Sequence, residues 1–248
     1  MAPAAAGATT ALPLVAVAHG SRDPRAARTV ESLLDAVRQA RPGLVVRSAY
    51  LDHAGPRLPE ALAGLDEAVV LPLLLTEAYH SRVDLPAAIA EVRAARGGPT
   101  VHYGTTLGPH PLMTAALERR LAEAGVARDR DTAVVLVSAG SSSAEANAVI
   151  GAMARSWHGW WGVTAAYASA ADPTPAQAVA LLKRAGAPRI VVAPYLLAPG
   201  YFADKVRHST LEAGADAVAD VLGPAPELVE VLLARYRQAI RRSERVPV

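Results

Sequence analysis

The feature that most constrains the fold is an internal repeat, because four sequence landmarks recur in the same order about 120 residues apart. The segments LVAVAHGS and VVLPLLLTEAYH correspond to VVLVSAGS and VVAPYLLAPGYF. Two further pairs, SAYLDHAGP with AAYASAADP and LGPHP with LGPAP, keep that order. The repeat predicts two homologous halves, residues 14–125 and 133–241, joined by a charged linker at 126–132. A disordered lead-in at 1–13 and a tail at 242–248 are expected to flank them.

Each half alternates short apolar runs with segments of helical periodicity. The run LPLVAVA is typical of a strand buried on both faces of a parallel sheet, and residues 25–40 follow it with apolar side chains at helical spacing. The second half repeats this pattern, and its third helix is expected at residues 205–213. The alternation predicts an α/β fold of two flavodoxin-like halves, each a parallel sheet of about four strands flanked by helices.

Composition excludes several classes of function. The chain has no cysteine, so thiolate nucleophiles, disulfides and thiolate metal sites are ruled out. No apolar run approaches the ~18 residues that span a membrane, and the first residues lack a signal-peptide pattern. We therefore expect a cytoplasmic protein with no membrane partner. The net charge is only +2 and the basic residues are scattered, which argues against a nucleic-acid partner.

Three histidines follow predicted strands of the first half, where ligands of parallel α/β sheets usually bind. His19 follows the first strand, His80 the third and His110 the fourth. At the equivalent places the second half carries residues without an imidazole: Ala139, Phe202 and Ala225. This coordinated loss predicts that the first half carries the site and that the second half serves as a wall or lid.

Several of these residues also have an ordinary structural interpretation. His110 stands before a proline at a helix start, which turn chemistry explains equally well. Glu77 is either a carboxylate near a metal ion bound by these histidines or a solvated loop residue. The segment AGSSS at 139–143 is either an anion cradle or, as we favour, a decayed copy of HGSRD. The remaining histidines are expected to be surface or packing residues: His53, His102, His158 and His208.

Two imidazoles without a thiol suit a site that binds a metal transiently. Neutral imidazole is a ligand for iron, cobalt, nickel and zinc, and it is also a base near neutral pH. Because a structural metal normally has four protein ligands, a site with two would hold its metal weakly and hand it on.

The segments HGSRDP at His19, TEAYHSRVDLP at His80 and LGPHP at His110 resemble those of the sirohydrochlorin chelatases, in the class II chelatase superfamily. The resemblance extends from residue 14 to about residue 240. It implies ATP-independent insertion of Co²⁺ or Fe²⁺ into sirohydrochlorin, for cobalamin or sirohaem, with Ni²⁺ a further candidate and no organic cofactor. The family's two active-site histidines fall on His19 and His80, which would bind the metal and accept pyrrole protons.

The resemblance also implies a polyanionic substrate, since sirohydrochlorin carries eight carboxylates. Cationic side chains near the motif loops are the candidates for binding them: Arg22, Arg25, Arg47, Arg82, and Lys205 from the second half. Further candidate substrate-binding residues are Ser21, Glu77, Tyr79 and His110. Because both halves lie in one chain, a monomer is expected to form the whole cleft.

Three other functions compete with this interpretation. A tetrapyrrole or metal carrier would keep the same fold without catalysing insertion. A serine hydrolase would use Ser21 or Ser138, but the G-x-S-x-G motif is absent. A phosphate-ester enzyme would use His19 as a nucleophile and would act without a metal.

Overall fold

The computed structural model describes residues 11–77, 84–94 and 98–243. Within these residues eight strands alternate with eight helices. The first half contains β1 (Leu14–Ala18), α1 (Pro24–Ala40), β2 (Val46–Tyr50), α2 (Leu58–Leu62), β3 (Glu67–Pro72), α3 (Leu85–Ala94), β4 (Thr100–Tyr103) and α4 (Pro111–Glu123). The second half contains β5 (Thr132–Ser138), α5 (Ala144–Ser156), β6 (Gly162–Tyr167), α6 (Pro175–Arg184), β7 (Arg189–Tyr195), α7 (Tyr201–Glu212), β8 (Ala217–Val218) and α8 (Pro226–Ser243).

The strands form two parallel four-stranded sheets of the same topology, which confirms the predicted fold class. Their orders are β2-β1-β3-β4 and β6-β5-β7-β8. Each sheet therefore places its first strand at an inner position. All five residues of β1 are buried, as the continuous apolar run predicts for a strand covered on both faces. The expected lead-in and tail include residues 1–10 and 244–248, which lie outside the described residues.

The first helix shows how the local sequence produces these elements. Asp23 caps α1 by accepting a hydrogen bond from the Arg25 amide, and a proline occupies the first turn. The residues that α1 buries recur at helical spacing: Val30, Leu33, Leu34 and Val37. The chain therefore turns from β1 into the helix within a few residues, and the loop between them stays at the sheet edge.

One element begins earlier than its sequence pattern predicts. The helix expected from residue 205 begins at Tyr201, with Gly200 as its N-terminal flanking residue. The buried positions of α7 are Val206 and Thr210, so its first turn shows no apolar periodicity. Tyr201 and Phe202 of that turn are exposed instead, and they line the cleft described below.

One hydrophobic cluster spans both halves, because the last helix of each half packs on the other half. Helix α8 contacts α1, α4, β3 and β4, and α4 contacts β7. At this interface the Tyr195 hydroxyl donates to the Leu75 carbonyl at 3.0 Å, and the Arg119 guanidinium binds the Glu227 carboxylate. These contacts fix how the two sheet edges face each other. No described helix combines the length and apolarity that crossing a bilayer requires.

Candidate active site

A cleft of about 660 Å³ lies between the halves, at the carboxyl edges of both sheets. The first half lines it chiefly with residues 18–22 and 73–76, and the second half with residues 138–141 and 195–203. These segments follow β1, β3, β5 and β7, the two central strands of each sheet. The cleft is therefore at the place where ligands of parallel α/β proteins bind.

His19 lies on the first-half wall of this cleft, directly after β1. Its side chain is exposed, and its Nδ1 atom lies 3.2 Å from the Gly20 carbonyl oxygen. The His19 carbonyl accepts a hydrogen bond from the Asp52 amide at 2.9 Å. Gly20 has φ +94°, and a Cβ added to it would lie 1.7 Å from the Asp52 carbonyl oxygen. The turn therefore needs glycine, and it fixes the backbone that presents the imidazole.

The second half keeps the same turn without the imidazole. Gly140 has φ +86°, a Cβ there would lie 1.9 Å from the Ser169 carbonyl oxygen, and Ala139 replaces the histidine. The following amides are already bonded within the segment: Ser141 donates to Asn147 Oδ1 at 3.0 Å, and Ser143 donates to Ser141 Oγ at 3.1 Å. This pattern favours a decayed copy of HGSRD over an anion cradle.

A second imidazole of the first half lines the cleft, and sequence analysis missed it. His53 is exposed there, and its Nε2 atom lies 3.2 Å from Asp52 Oδ2. Its backbone is left-handed with φ +57°, and its counterpart Ala170 has φ +59°. The alignment of SAYLDHAGP with AAYASAADP already pairs these two positions. The test that singled out His19, loss of the imidazole from the second copy, would have found His53 as well.

The substrate-binding residues proposed from sequence differ in where they lie. Ser21 and Arg22 line the cleft. Arg25 instead pairs with two carboxylates, Asp23 beside it and Asp204 of α7, so its charge is shared between the two halves and it is not among the cleft-lining residues. Lys205 was expected to close the cleft from the second half, but it is exposed on α7 and is not among the cleft-lining residues. Its neighbour Asp204 makes the contact with the first half, through Arg25.

The structure does not bring Arg47 to the cleft. Arg47 is near the amino end of β2, whereas ligand sites of parallel sheets lie at the carboxyl end. Its guanidinium donates to the carbonyls of Ala61 and Ala63, both at 2.9 Å. Ala61 lies in the last turn of α2 and Ala63 directly follows the helix, so the Arg47 guanidinium is bound to a helix end.

Glu77 and His110 lie in a neighbouring group and are not among the described residues that line the cleft. Burial, together with the charge of Glu77, raises the pKa of Tyr103 to about 12. His110 caps α4, and its Nδ1 accepts from the Leu112 amide at 3.2 Å. Burial and the nearby Arg235 lower the pKa of His110. The cap gives His110 a structural role in this fold.

The remaining predicted site residues, Tyr79, His80 and Arg82, lie outside the described residues. They belong to the segment between β3 and α3, which the chain enters from the cleft wall at residues 73–76. Among the residues that the structure describes, no three His, Asp or Glu side chains cluster closely enough to hold a metal ion.

Burial of His110 beside Arg235 predicts a pH dependence of stability, because protonation would also occupy the Nδ1 lone pair that caps α4. The folded pKa lies below the unfolded value of ~6.5, so the unfolded chain takes up the proton first as pH falls. The stabilisation from the cap is therefore present above pH ~6.5 and lost as pH falls through the folded pKa. His110→Asn keeps a good capping residue and should weaken the pH dependence of the urea midpoint between about pH 7.5 and 5.

His208→Asn is the matched control for this measurement, because it removes an exposed imidazole from α7. It should leave the pH dependence nearly as in wild type. An unchanged pH profile in His110→Asn would contradict the capping role.

The fold finds close counterparts among solved chelatase structures. SirB from Bacillus subtilis with Fe³⁺ superposes with a TM-score of 0.81 over 94% of this chain and 97% of that chain, at 22% identity. The sirohydrochlorin chelatase SirB from Bacillus subtilis subspecies spizizenii, in complex with cobalt, gives 0.77 over the same shares at 20% identity. The two sheets and the cleft between them thus define a protein of the chelatase fold.

Sequence comparison then identifies the family. The CbiX family model matches residues 13–124 and again residues 133–239, once in each half. The chain belongs to this family, that of the sirohydrochlorin chelatases. It is 26% identical to a sirohydrochlorin cobaltochelatase of Priestia megaterium, over 90% of this chain and 78% of that protein. It is 25% identical to a sirohydrochlorin ferrochelatase of the same organism, over 87% and 86%.

Proposed function

We propose that this protein inserts a divalent metal, Co²⁺ or Fe²⁺, into sirohydrochlorin without ATP, and that metal and macrocycle meet in the cleft between the halves. The observation that carries this proposal is the asymmetry of the cleft walls. The first half presents His19 and His53 to the cleft, whereas the second half presents the same turns with Ala139 and Ala170. Family membership supplies the substrate class.

The chemistry of insertion fits an exposed imidazole at this edge. Metal insertion requires that two pyrrole N–H protons leave while the metal approaches the nitrogen lone pairs from one face of the ring. The ring nitrogen lone pair of a neutral imidazole can bind a metal or accept a proton. His19 is open to the cleft and is held by a rigid turn, which suits both roles.

The second active-site histidine of the proposal is His80, assigned from its place in the sequence after β3. Ser21 and Arg22 are proposed to bind substrate carboxylates from the described wall, and Tyr79 and Arg82 from the adjoining segment. Arg47 is left out because it caps α2. Formation of the metal–nitrogen bonds supplies the driving force, so the proposal needs neither a nucleotide nor an organic cofactor.

A single chain supplies both walls of the cleft, so we propose that the monomer is the active unit. Metal preference does not follow from ligand type, because imidazole sites intrinsically favour copper and nickel over cobalt and iron. The relatives include both cobalt and iron enzymes. Both metals therefore belong in the test, with Ni²⁺ as a further candidate.

Anaerobic absorbance spectra of sirohydrochlorin with Co²⁺, Fe²⁺ or Ni²⁺ test the proposal. The protein should raise the initial rate of conversion well above the protein-free rate for at least one of Co²⁺ and Fe²⁺, and added ATP should not change it. Binding of the macrocycle with no rate above the protein-free control would contradict the proposal and favour a non-catalytic carrier of the same fold.

A further inference from the structure

Two large aromatic side chains are exposed side by side at the start of α7. Tyr201 is 73% exposed and Phe202 is 39% exposed, although phenylalanine is usually buried and tyrosine is usually at least partly buried. Their ring centroids are 5.7 Å apart with planes inclined at 62°, an edge-to-face contact. Both residues line the cleft. They therefore form an aromatic pair, Tyr201–Phe202, on the second-half wall.

Packing of α7 does not require this pair. The residues that α7 buries are Val206 and Thr210, one and two turns further along the helix. The core clusters of the second half do not contain either ring. An exposed aromatic pair on a cleft wall is thus unexplained by the fold, and it is available to contact a ligand.

The pair is held close to the loop that carries His19. A Cβ built on Gly200, the residue before the pair, would lie 3.8 Å from Ser21 Oγ. On the other side of the pair, Asp204 forms an ion pair with Arg25 at the start of α1. The residues that flank the aromatic pair therefore lie close to the first half on both sides, beside the loop that carries His19.

The repeat shows a change of chemistry at this position. In the aligned segments VVLPLLLTEAYH and VVAPYLLAPGYF, Phe202 occupies the place of His80, and it is the only phenylalanine in the chain. The second copy thus carries a ring that neither binds a metal ion nor accepts a proton. A phenyl ring offers an apolar π face instead, which suits contact with a flat conjugated molecule.

Resting on the proposed function, we propose that Tyr201 and Phe202 are positioning residues that pack against the conjugated face of the tetrapyrrole from the second-half wall. The macrocycle then lies between this aromatic pair and the wall that carries His19. Polar residues such as Ser21 and Arg22 bind the carboxylates at the rim of the macrocycle, while its apolar face covers the two exposed rings. The aromatic pair determines how tightly the macrocycle is held and leaves metal binding to the first half.

Titration of metal-free sirohydrochlorin into the protein, followed by absorbance, tests the proposal without relying on turnover. The variant Tyr201→Ala/Phe202→Ala should raise the Kd roughly 10- to 100-fold, the range that loss of aromatic stacking produces elsewhere. In the insertion assay the KM for sirohydrochlorin should rise in parallel. The kcat and the KM for the metal should stay within about threefold, because these rings do not act on the metal or the protons.

Conservative variants distinguish stacking from general packing. Tyr201→Phe and Phe202→Trp keep the aromatic faces and should retain near-wild-type Kd, whereas Phe202→Leu keeps apolar volume but should weaken binding. Trp161→Leu is the matched control, since Trp161 is an exposed aromatic residue, 38% exposed, that does not line the cleft.

An unchanged Kd in the double alanine variant, or a loss of kcat at unchanged Kd, would overturn the inference. Because both side chains are exposed, circular dichroism of the variants should match wild type. If wild type itself showed no rate above background, the proposed function would fail instead. If wild type turned over normally and the double variant kept both the wild-type Kd and the wild-type KM for sirohydrochlorin, only this inference would fail.

Discussion

Replacing His19 with alanine is expected to lower the metal-insertion rate by at least ~100-fold, the lower end of what positioned acid–base groups contribute. The imidazole is exposed on the cleft wall, so its removal takes away the group that we propose both as metal ligand and as proton acceptor. The side chain is not part of the hydrophobic core, and the variant should keep its stability. Initial rates from absorbance spectra, beside a urea denaturation curve, measure both properties.

His208→Ala is the control for this variant. It removes an exposed imidazole that pairs with Glu212 on α7 and does not line the cleft. Its insertion rate should stay close to wild type. If His19→Ala also kept the wild-type rate, the assignment of His19 to the chemistry would be wrong, even if the protein remained a chelatase.

Replacing Gly20 with alanine is expected to reduce both stability and activity. A left-handed backbone costs an L residue about 1–2 kcal/mol, and here the new Cβ would also lie 1.7 Å from a backbone oxygen of Asp52. Together these conflicts should lower the free energy of unfolding by roughly 2–4 kcal/mol. The loop must shift to relieve them, and this shift displaces the neighbouring His19. Urea denaturation and the insertion assay below the unfolding transition separate the two effects.

Two other glycines provide matched comparisons for this variant. Gly43 has φ +88° but no atom within 4 Å of an added Cβ, so Gly43→Ala isolates the backbone cost and should lose only about 1–2 kcal/mol. Gly140→Ala creates nearly the same clash as Gly20→Ala, but in the half that has no imidazole at this turn. It should therefore cost similar stability and less activity. Equal stability of the Gly20→Ala and Gly43→Ala variants would contradict the clash.

The repeated fold could be predicted from sequence because each of its signals is local. Buried strands such as β1 and β5 appear as continuous apolar runs, and helices such as α1 show apolar residues at helical spacing. The start of α7 could not be read in this way. Its first turn places Tyr201 and Phe202 toward solvent and the cleft, so the apolar period begins only at Val206.

The candidate site was predictable where the repeat could be used as an internal comparison, as at His19. His53 was missed because it was judged alone, although the same comparison pairs it with Ala170. Arg47 was expected at the cleft because it is close to a motif in sequence. Such proximity does not indicate whether a residue lies at the amino end or the carboxyl end of its strand. The ion pair between Arg25 and Asp204 joins residues 179 positions apart, and no local sequence pattern predicts such a contact.

The central claim is that the cleft catalyses insertion rather than simply binding metal and macrocycle. Counting product molecules per chain, with sirohydrochlorin and Co²⁺ or Fe²⁺ in large excess over protein and the protein-free rate subtracted, tests it most directly. A catalyst releases its product and starts again, so we predict a linear progress curve that passes many product equivalents per chain. A curve that stops at one equivalent per chain would contradict catalysis and identify the protein as a carrier.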